Sequence, residues 1–197
     1  MKKLFTITLL LTILGLVFLI GCNNPTQWKK AYTDFIKTET PNKDANGKEL
    51  KYALVKLNND DIPEMLYSGE GYVNTHLCWI QNDKIKHQFV SNEDFLYYEK
   101  KNLFYGFYFN HGVAHEMVYT LENNELNKLF ENTYDLSGDK PRYLIGKKVV
   151  SKAEYEKSVD IYFIKSKAAT VNYCNGKNEI VKLIENYWLS NHWLKDN

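Results

Sequence analysis

Proline and glycine are scarce in this chain, with four prolines and ten glycines among 197 residues. Such a composition disfavours a loop-dominated polypeptide and fits an ordered domain. A surplus of either charge is also missing: 25 Lys and Arg stand against 24 Asp and Glu. With no long basic run, the electrostatic footprint of a nucleic-acid partner is excluded. No G-x-S-x-G, H-E-x-x-H or P-loop occurs. "SGEGY" (Ser68–Tyr72) has two glycines but no following helix to make a phosphate loop. Cysteine is limited to Cys22, Cys78 and Cys174.

What is present starts at the N-terminus. Lys2 and Lys3 precede an apolar run from Leu4 to Ile20, closed by "LIGC" (Leu19–Cys22). The run is nearly long enough to span a bilayer, but its ending resembles the lipobox of bacterial lipoproteins. The resemblance implies cleavage before Cys22 and diacylglycerol on its sulfur. Residues 1–21 then read as a lipoprotein signal peptide, 22–27 as a lipidated tether and 28–197 as one domain. Two or three acyl chains, at about 0.8 kcal/mol per buried methylene, hold a protein at a membrane. The expected location is extracytoplasmic, lipid-anchored to the cell membrane or outer membrane. Losing Lys2 and Lys3 with the signal takes the formal charge from +1 to −1. The remaining 176 residues suffice for one domain burying ~70% of its unfolded surface. An exported compartment permits a disulfide between Cys78 and Cys174, and two separately buried thiols are the other reading.

"TQWKKAYTDFIKTE" places Trp28, Ala31, Tyr32, Phe35 and Ile36 on one helical stripe, with Thr26 as N-cap. From Leu50 to about Tyr134 the period becomes that of strands. "KYALVKL" is apolar on both faces, as a covered central strand requires. Three aromatic pairs then flank polar tips at Gln81-Asn82-Asp83-Lys84, Lys100-Lys101-Asn102 and Glu122-Asn123-Asn124, predicting successive hairpins. "SKAEYEKSVDIYF" opens with a Ser151/Glu154 capping box. A last helix carries Ile180, Leu183, Ile184, Tyr187 and Trp188 on one face. The expected fold is α+β, a curved antiparallel β-meander with an N-terminal helix and C-terminal helices packed on one side.

"KLNNDDIPEML" (Lys56–Leu66) spaces Asn58, Asp60 and Glu64 at alternate positions of a calcium-type loop. Lys56 replaces the first carboxylate, Asp61 the glycine and Tyr67 the final acid. The two readings are a weak calcium site and a metal-free turn in which the Lys56 ammonium supplies the missing positive charge. The longer "ALVKLNNDDIPEML" is similar to the D-x-N-x-D-G-I-P-E-L segment of uncharacterised exported lipoproteins of clostridia and related gut bacteria. "YLIGKKVVSKAEYEK" (Tyr143–Lys157) resembles a second segment of those proteins. The resemblance implies an architecture, a first strand after an N-terminal helix, and assigns no activity.

Other chemistry is thin. His76 and Cys78 share a strand face but lack an oxyanion site for a Cys–His nucleophile. In "HGVAHE", His111 and His115 would pair only on a helix, and Gly112 predicts a hairpin turn there. "VNYCNGK" around Cys174 resembles the Y-x-C-x-x-G element of small lipoprotein inhibitors of lysozyme, one residue out of register. No catalytic or metal-ligating residue is assigned, and no cofactor. The expected function is a membrane-anchored, non-enzymatic binding or envelope-associated module with a protein or glycan partner. An envelope-polymer hydrolase or transferase and an inhibitor of a cell-wall lytic enzyme are the alternatives.

Overall fold

The computed structural model describes residues 26–70 and 74–187. Cys22, the signal segment and Trp188 lie outside the described residues. In chain order the elements begin with α1 (Gln27–Thr38), β1 (Lys51–Val55), β2 (Glu64–Ser68), β3 (Thr75–Gln81) and β4 (Lys84–Ser91). Then come β5 (Phe95–Tyr98), β6 (Leu103–Asn110), β7 (Val113–Glu122), β8 (Glu125–Asp135), β9 (Arg142–Ile145) and β10 (Lys148–Val150). The last are α2 (Lys152–Tyr162), β11 (Ala169–Thr170), β12 (Cys174–Asn175) and α3 (Gly176–Glu185). The fold is α+β. Among the described residues, no helix is long and apolar enough to cross a membrane.

Backbone sign marks the reversals. Asn82 and Asp83 (φ 51° and 60°), His111 and Gly112 (49° and 82°), and Asn123 and Asn124 (52° and 59°) are consecutive pairs with positive φ. Such pairs make type I′ turns, whose twist matches the strands they join. Asn, Asp and Gly tolerate this conformation better than other residues.

The strands form two antiparallel sheets, in the orders β12-β1-β2-β3-β4 and β10-β9-β8-β7-β6-β5-β11. One curved sheet with helices on one side was the expectation; the structure has two sheets with helices on both outer faces. The reason lies in strands that are apolar on both sides. Ala53, Val55, Leu66 and Leu77 of the first sheet meet Phe104 and Tyr119 of the second in a central core. Their neighbours Tyr52, Met65 and Cys78 point outward to Tyr32 and Ile36 of α1 and Ile180 and Ile184 of α3. Tyr105, Val118 and Phe130 point outward from the second sheet to Val159 and Phe163, in and just beyond α2. Alternation with period two thus builds two cores from each central strand.

The chain crosses between sheets after β4, and side chains fix the crossing. Ser91 Oγ donates to the Asp94 or Phe107 carbonyl (2.7 Å each) and accepts from the Phe107 N–H (3.1 Å). The Asn92 side chain bonds the Phe109 backbone in both directions, at 2.8 and 2.9 Å. Here Gly106 of β6 passes so close to β4 that a Cβ on it would lie 2.1 Å from the Val90 carbonyl oxygen.

The helices show which local signals act. Glu154 N–H donates to Ser151 Oγ (3.2 Å) and Ser151 N–H to Glu154 Oε2 (2.9 Å), a complete capping box on α2. On α1, Trp28, Tyr32 and Ile36 are buried, but the Thr26 side chain makes no capping bond. Its carbonyl instead accepts from the Lys29 and Lys30 N–H groups. On α3, Leu183 is 40% exposed while Ile180 and Ile184 are fully buried. Beyond α2, Lys165 pairs with the buried Glu116 of β7, which also accepts from Tyr105. Burial opposes ionisation of Glu116, but the Lys165 hydrogen bond and charge outweigh it and keep its carboxyl below the ordinary range.

No bridge joins Cys78 to Cys174; both thiols are free. Cys174 is on β12 and Cys78 on β3, three strand spacings apart in the first sheet. At ~4.8 Å per spacing the gap is about 14 Å, far beyond what a disulfide spans.

Candidate functional site

Pro63 and the turn before it carry the chain from β1 to β2, and three polar side chains close that turn. Asn58 Oδ1 accepts from Asp60 N–H (3.0 Å), and Asp60 Oδ1 accepts from Ile62 N–H (2.8 Å). These are Asx turns, in which a side chain completes a backbone turn. Asn58 Nδ2 then forks, donating to Asp60 Oδ2 (2.8 Å) and Glu64 Oε1 (3.0 Å). Glu64 Oε2 accepts from Leu57 N–H (2.9 Å).

The structure therefore brings Asn58, Asp60 and Glu64 together, as ligands would be. Their five oxygens each accept a hydrogen bond from within the turn, and the Asn58 amide nitrogen stands between the two carboxylates. Calcium takes six to eight oxygens, more than the five these three side chains carry. Among the described residues no three His, Cys, Asp or Glu side chains gather into a metal-binding group. The Lys56 ammonium does not enter the turn either. It lies 5.7 Å from the Tyr187 ring centroid. Its position just after β1 explains this, since Leu54 and Tyr52, two and four residues back, face the helices. Asn58 supplies the positive pole as an N–H dipole.

Glu64 is 3% exposed. Burial pushes its carboxyl up to about 8; the Leu57 N–H bond opposes this and the neighbouring Asp60 charge adds to it. Tyr32 sits across from it on α1, donating at 3.3 Å to the Cys78 carbonyl. Its hydroxyl is raised well above the usual range, first by burial and then by the charges of Glu64, Cys78 and Asp60.

These groups line a recess of about 310 Å³, at the small end of ligand-pocket volumes. Trp28 and Tyr32 of α1 form one wall, and Asp60, Ile62 and Glu64 another. The tips of two hairpins close it: Asn82-Asp83 from the first sheet and Asn124 from the second. Trp79 Nε1 donates to the Asn124 carbonyl at 2.8 Å and ties the tips together. Trp28 differs. It is 3% exposed, and its indole N–H has no hydrogen-bond partner. Its ring meets Tyr32 and Tyr187 edge to face, with centroids 5.9 and 5.4 Å away.

The sequence singles out Asn58, Asp60 and Glu64 but misses Trp28, Tyr32, Asp83 and Asn124. The last two read as turn residues, and the first two as core, with no signal in their spacing that they converge. Elsewhere the sequence-flagged groups do not form a site. Burial drives the Cys78 thiol far up and holds it neutral, the opposite of an activated nucleophile. His76 stacks on Tyr67 at 4.7 Å. His111 occupies the β6–β7 turn, while His115 Nδ1 lies 3.0 Å from Glu131 Oε1. Comparison with protein-family models, with curated proteins and with solved structures finds no match to this chain.

Proposed function

We propose that this chain is an exported lipoprotein, acylated at Cys22, whose α+β domain (28–197) binds a small polar ligand without transforming it. The observation that carries the binding reading is the recess between α1, the 57–64 turn and two hairpin tips. It is a concave surface on which apolar side chains (Trp28, Tyr32, Ile62, Ile80) and polar ones (Asp60, Asn82, Asp83, Asn124) converge. The anchor rests on "LIGC" after the basic start and apolar run. The D-x-N-x-D-G-I-P-E-L resemblance to exported lipoproteins, in which the segment follows an N-terminal helix and a first strand, supports the same reading. Four residues lie between Cys22 and Gln27, and the five steps reach about 18 Å at most. With Cys22 acylated, the recess, lined by Gln27 and Trp28, would lie near the tether.

A hydrolase acting on envelope polymers needs two carboxyl groups flanking the scissile bond. Asp60 and Glu64 are near enough, but the Asn58 amide fills the space between them. Both Glu64 oxygens are already engaged. That arrangement supports holding a ligand over cleaving one.

Metabolic labelling tests the anchor. Cells expressing the chain should incorporate palmitate into it, Cys22→Ala should abolish the label, and globomycin should leave the longer precursor. A labelled Cys22→Ala variant, or a wild-type protein that never takes the label, would rule the anchor out.

A further inference from the structure

The C-terminal end of α2 leaves apolar side chains in the open. Ile161 is 79% exposed, and Tyr162, Ile164 and Leu129 of β8 are exposed as well. Isoleucine and leucine are among the residues most often fully buried. Scattered singly on a surface they need no account, but a cluster does. Contacts gather these four. Tyr162 stacks on Phe130, the chain neighbour of Leu129, with ring centroids 4.6 Å apart. Phe163 is the buried pin between the exposed residues, stacked on Tyr98 at 4.6 Å and on Tyr105 at 5.8 Å. The Tyr98 hydroxyl donates to the Ile164 carbonyl and accepts from the Ile164 N–H, both at 2.9 Å.

The place of the cluster in the fold identifies what covers it. Tyr98 ends β5, and in the turn that follows, the Lys100 N–H donates to the Lys56 carbonyl at 2.8 Å. The Asn102 carbonyl accepts from the Leu121 N–H, beside the β7–β8 tip, at 3.0 Å. The cluster thus stands at the end of the molecule where the 57–64 turn, the hairpin tips and the start of α1 meet. Only four residues separate Gln27 from Cys22, so lipid on Cys22 is held at that same end. The bilayer is then the apolar phase within reach. Tyrosine is favoured at membrane interfaces. Lys101, with its ammonium 5.9 Å from the Tyr98 ring centroid, flanks the cluster as anionic headgroups would require. Glu99 and Asp160 are close in sequence and offset that charge, so apolar insertion carries the contact. We infer that Leu129, Ile161, Tyr162 and Ile164 dip into the bilayer that holds the anchor. This inference rests on acylation of Cys22 and adds how the domain lies on the membrane. The acyl chains supply attachment, and the cluster is a second signal that fixes orientation.

The experiment places the full chain, purified from acylating cells, in vesicles of phosphatidylethanolamine and phosphatidylglycerol carrying a diazirine phospholipid. After photolysis, lipid adducts are mapped by mass spectrometry, and the mass of the Cys22 peptide reports the anchor in the same digest. Adducts are expected on the peptides that hold Leu129 and residues 161–164. Ile161→Asp should lower them about tenfold, the loss of one buried isoleucine, and leave the Cys22 lipid unchanged. Ile161 is open enough for this change to spare the core; should the variant melt early, Leu129→Ser decides in its place. Lipid on Cys22 without adducts at the cluster overturns the docking and leaves the anchor standing. A Cys22 bare of lipid overturns the anchor and this orientation with it. Adducts that neither substitution diminishes overturn the docking too. A lysine cross-linker that joins two copies through this cluster, in place of lipid adducts, assigns it to a second copy and also overturns the proposal.

Discussion

Gly106→Ala is expected to destabilise the protein by about 3–4 kcal/mol. The added Cβ would sit 2.1 Å from the Val90 carbonyl oxygen and 3.1 Å from its carbon. Both are main-chain atoms, so no rotamer change relieves the overlap. Relief requires β4 and β6 to part by roughly 1 Å, given ordinary carbon–oxygen contact distances. The Ser91 and Asn92 hydrogen bonds to Phe107 and Phe109 lie beside the contact and would stretch with it. Overpacking alone costs about 1–3 kcal/mol, and each weakened bond adds about 1 kcal/mol. For a domain of this size the melting temperature should fall by roughly 10 °C. Differential scanning calorimetry would read this directly. A melting temperature equal to the wild type would mean that the sheets do not meet at Gly106.

The second large effect concerns Glu64 and pH. Its folded carboxyl is raised to about 8 from an ordinary value of 4.5. Between those values the folded state keeps a proton that the unfolded chain has lost. Protons then favour folding, so the stability is fully present below about pH 4.5 and is lost as pH rises through 8. The size is on the order of 5 kcal/mol, at about 1.4 kcal/mol per unit. Glu64→Gln cannot ionise and should not show this decline. The variant carries a fixed cost, because its amide meets either the Leu57 N–H or the Asn58 amide as donor against donor. Urea unfolding at intervals from pH 5 to 8.5 should therefore give curves that converge or cross as pH rises. Comparing the two proteins cancels His76, whose imidazole is held below its usual range by burial and His87. Parallel curves would show that Glu64 is ionised throughout.

How far the fold was legible follows from the range of each signal. Two-residue tips rich in Asn and Asp announce the β3–β4 and β7–β8 hairpins, and the Ser151/Glu154 box announces α2. All are local events encoded within a few residues. The division into two sheets is not local. Ser91–Asp94 looks like any other polar turn, yet there the chain leaves one sheet for the other. Gly106 is the only hint, and it gains meaning only beside Val90, sixteen residues away. The site divides in the same way. Asn58, Asp60 and Glu64 were visible because one turn holds them, whereas Trp28, Asp83 and Asn124 meet only once both sheets and α1 are assembled. Two thiols in a chain expected to be exported permit a bridge, but strand order, which spacing cannot reveal, puts them on opposite sides of β1 and β2.

Those separated thiols leave the molecule with an internal clock. Cys78 is wholly inaccessible, packed beneath α1, while Cys174 is half-covered on a two-residue edge strand. An alkylating reagent should reach Cys174 whenever that edge frays, but Cys78 only when the helical layer lifts from the sheet. The ratio of the two modification rates, read by mass spectrometry in native buffer, therefore separates surface breathing from whole-body opening without a label having to be introduced.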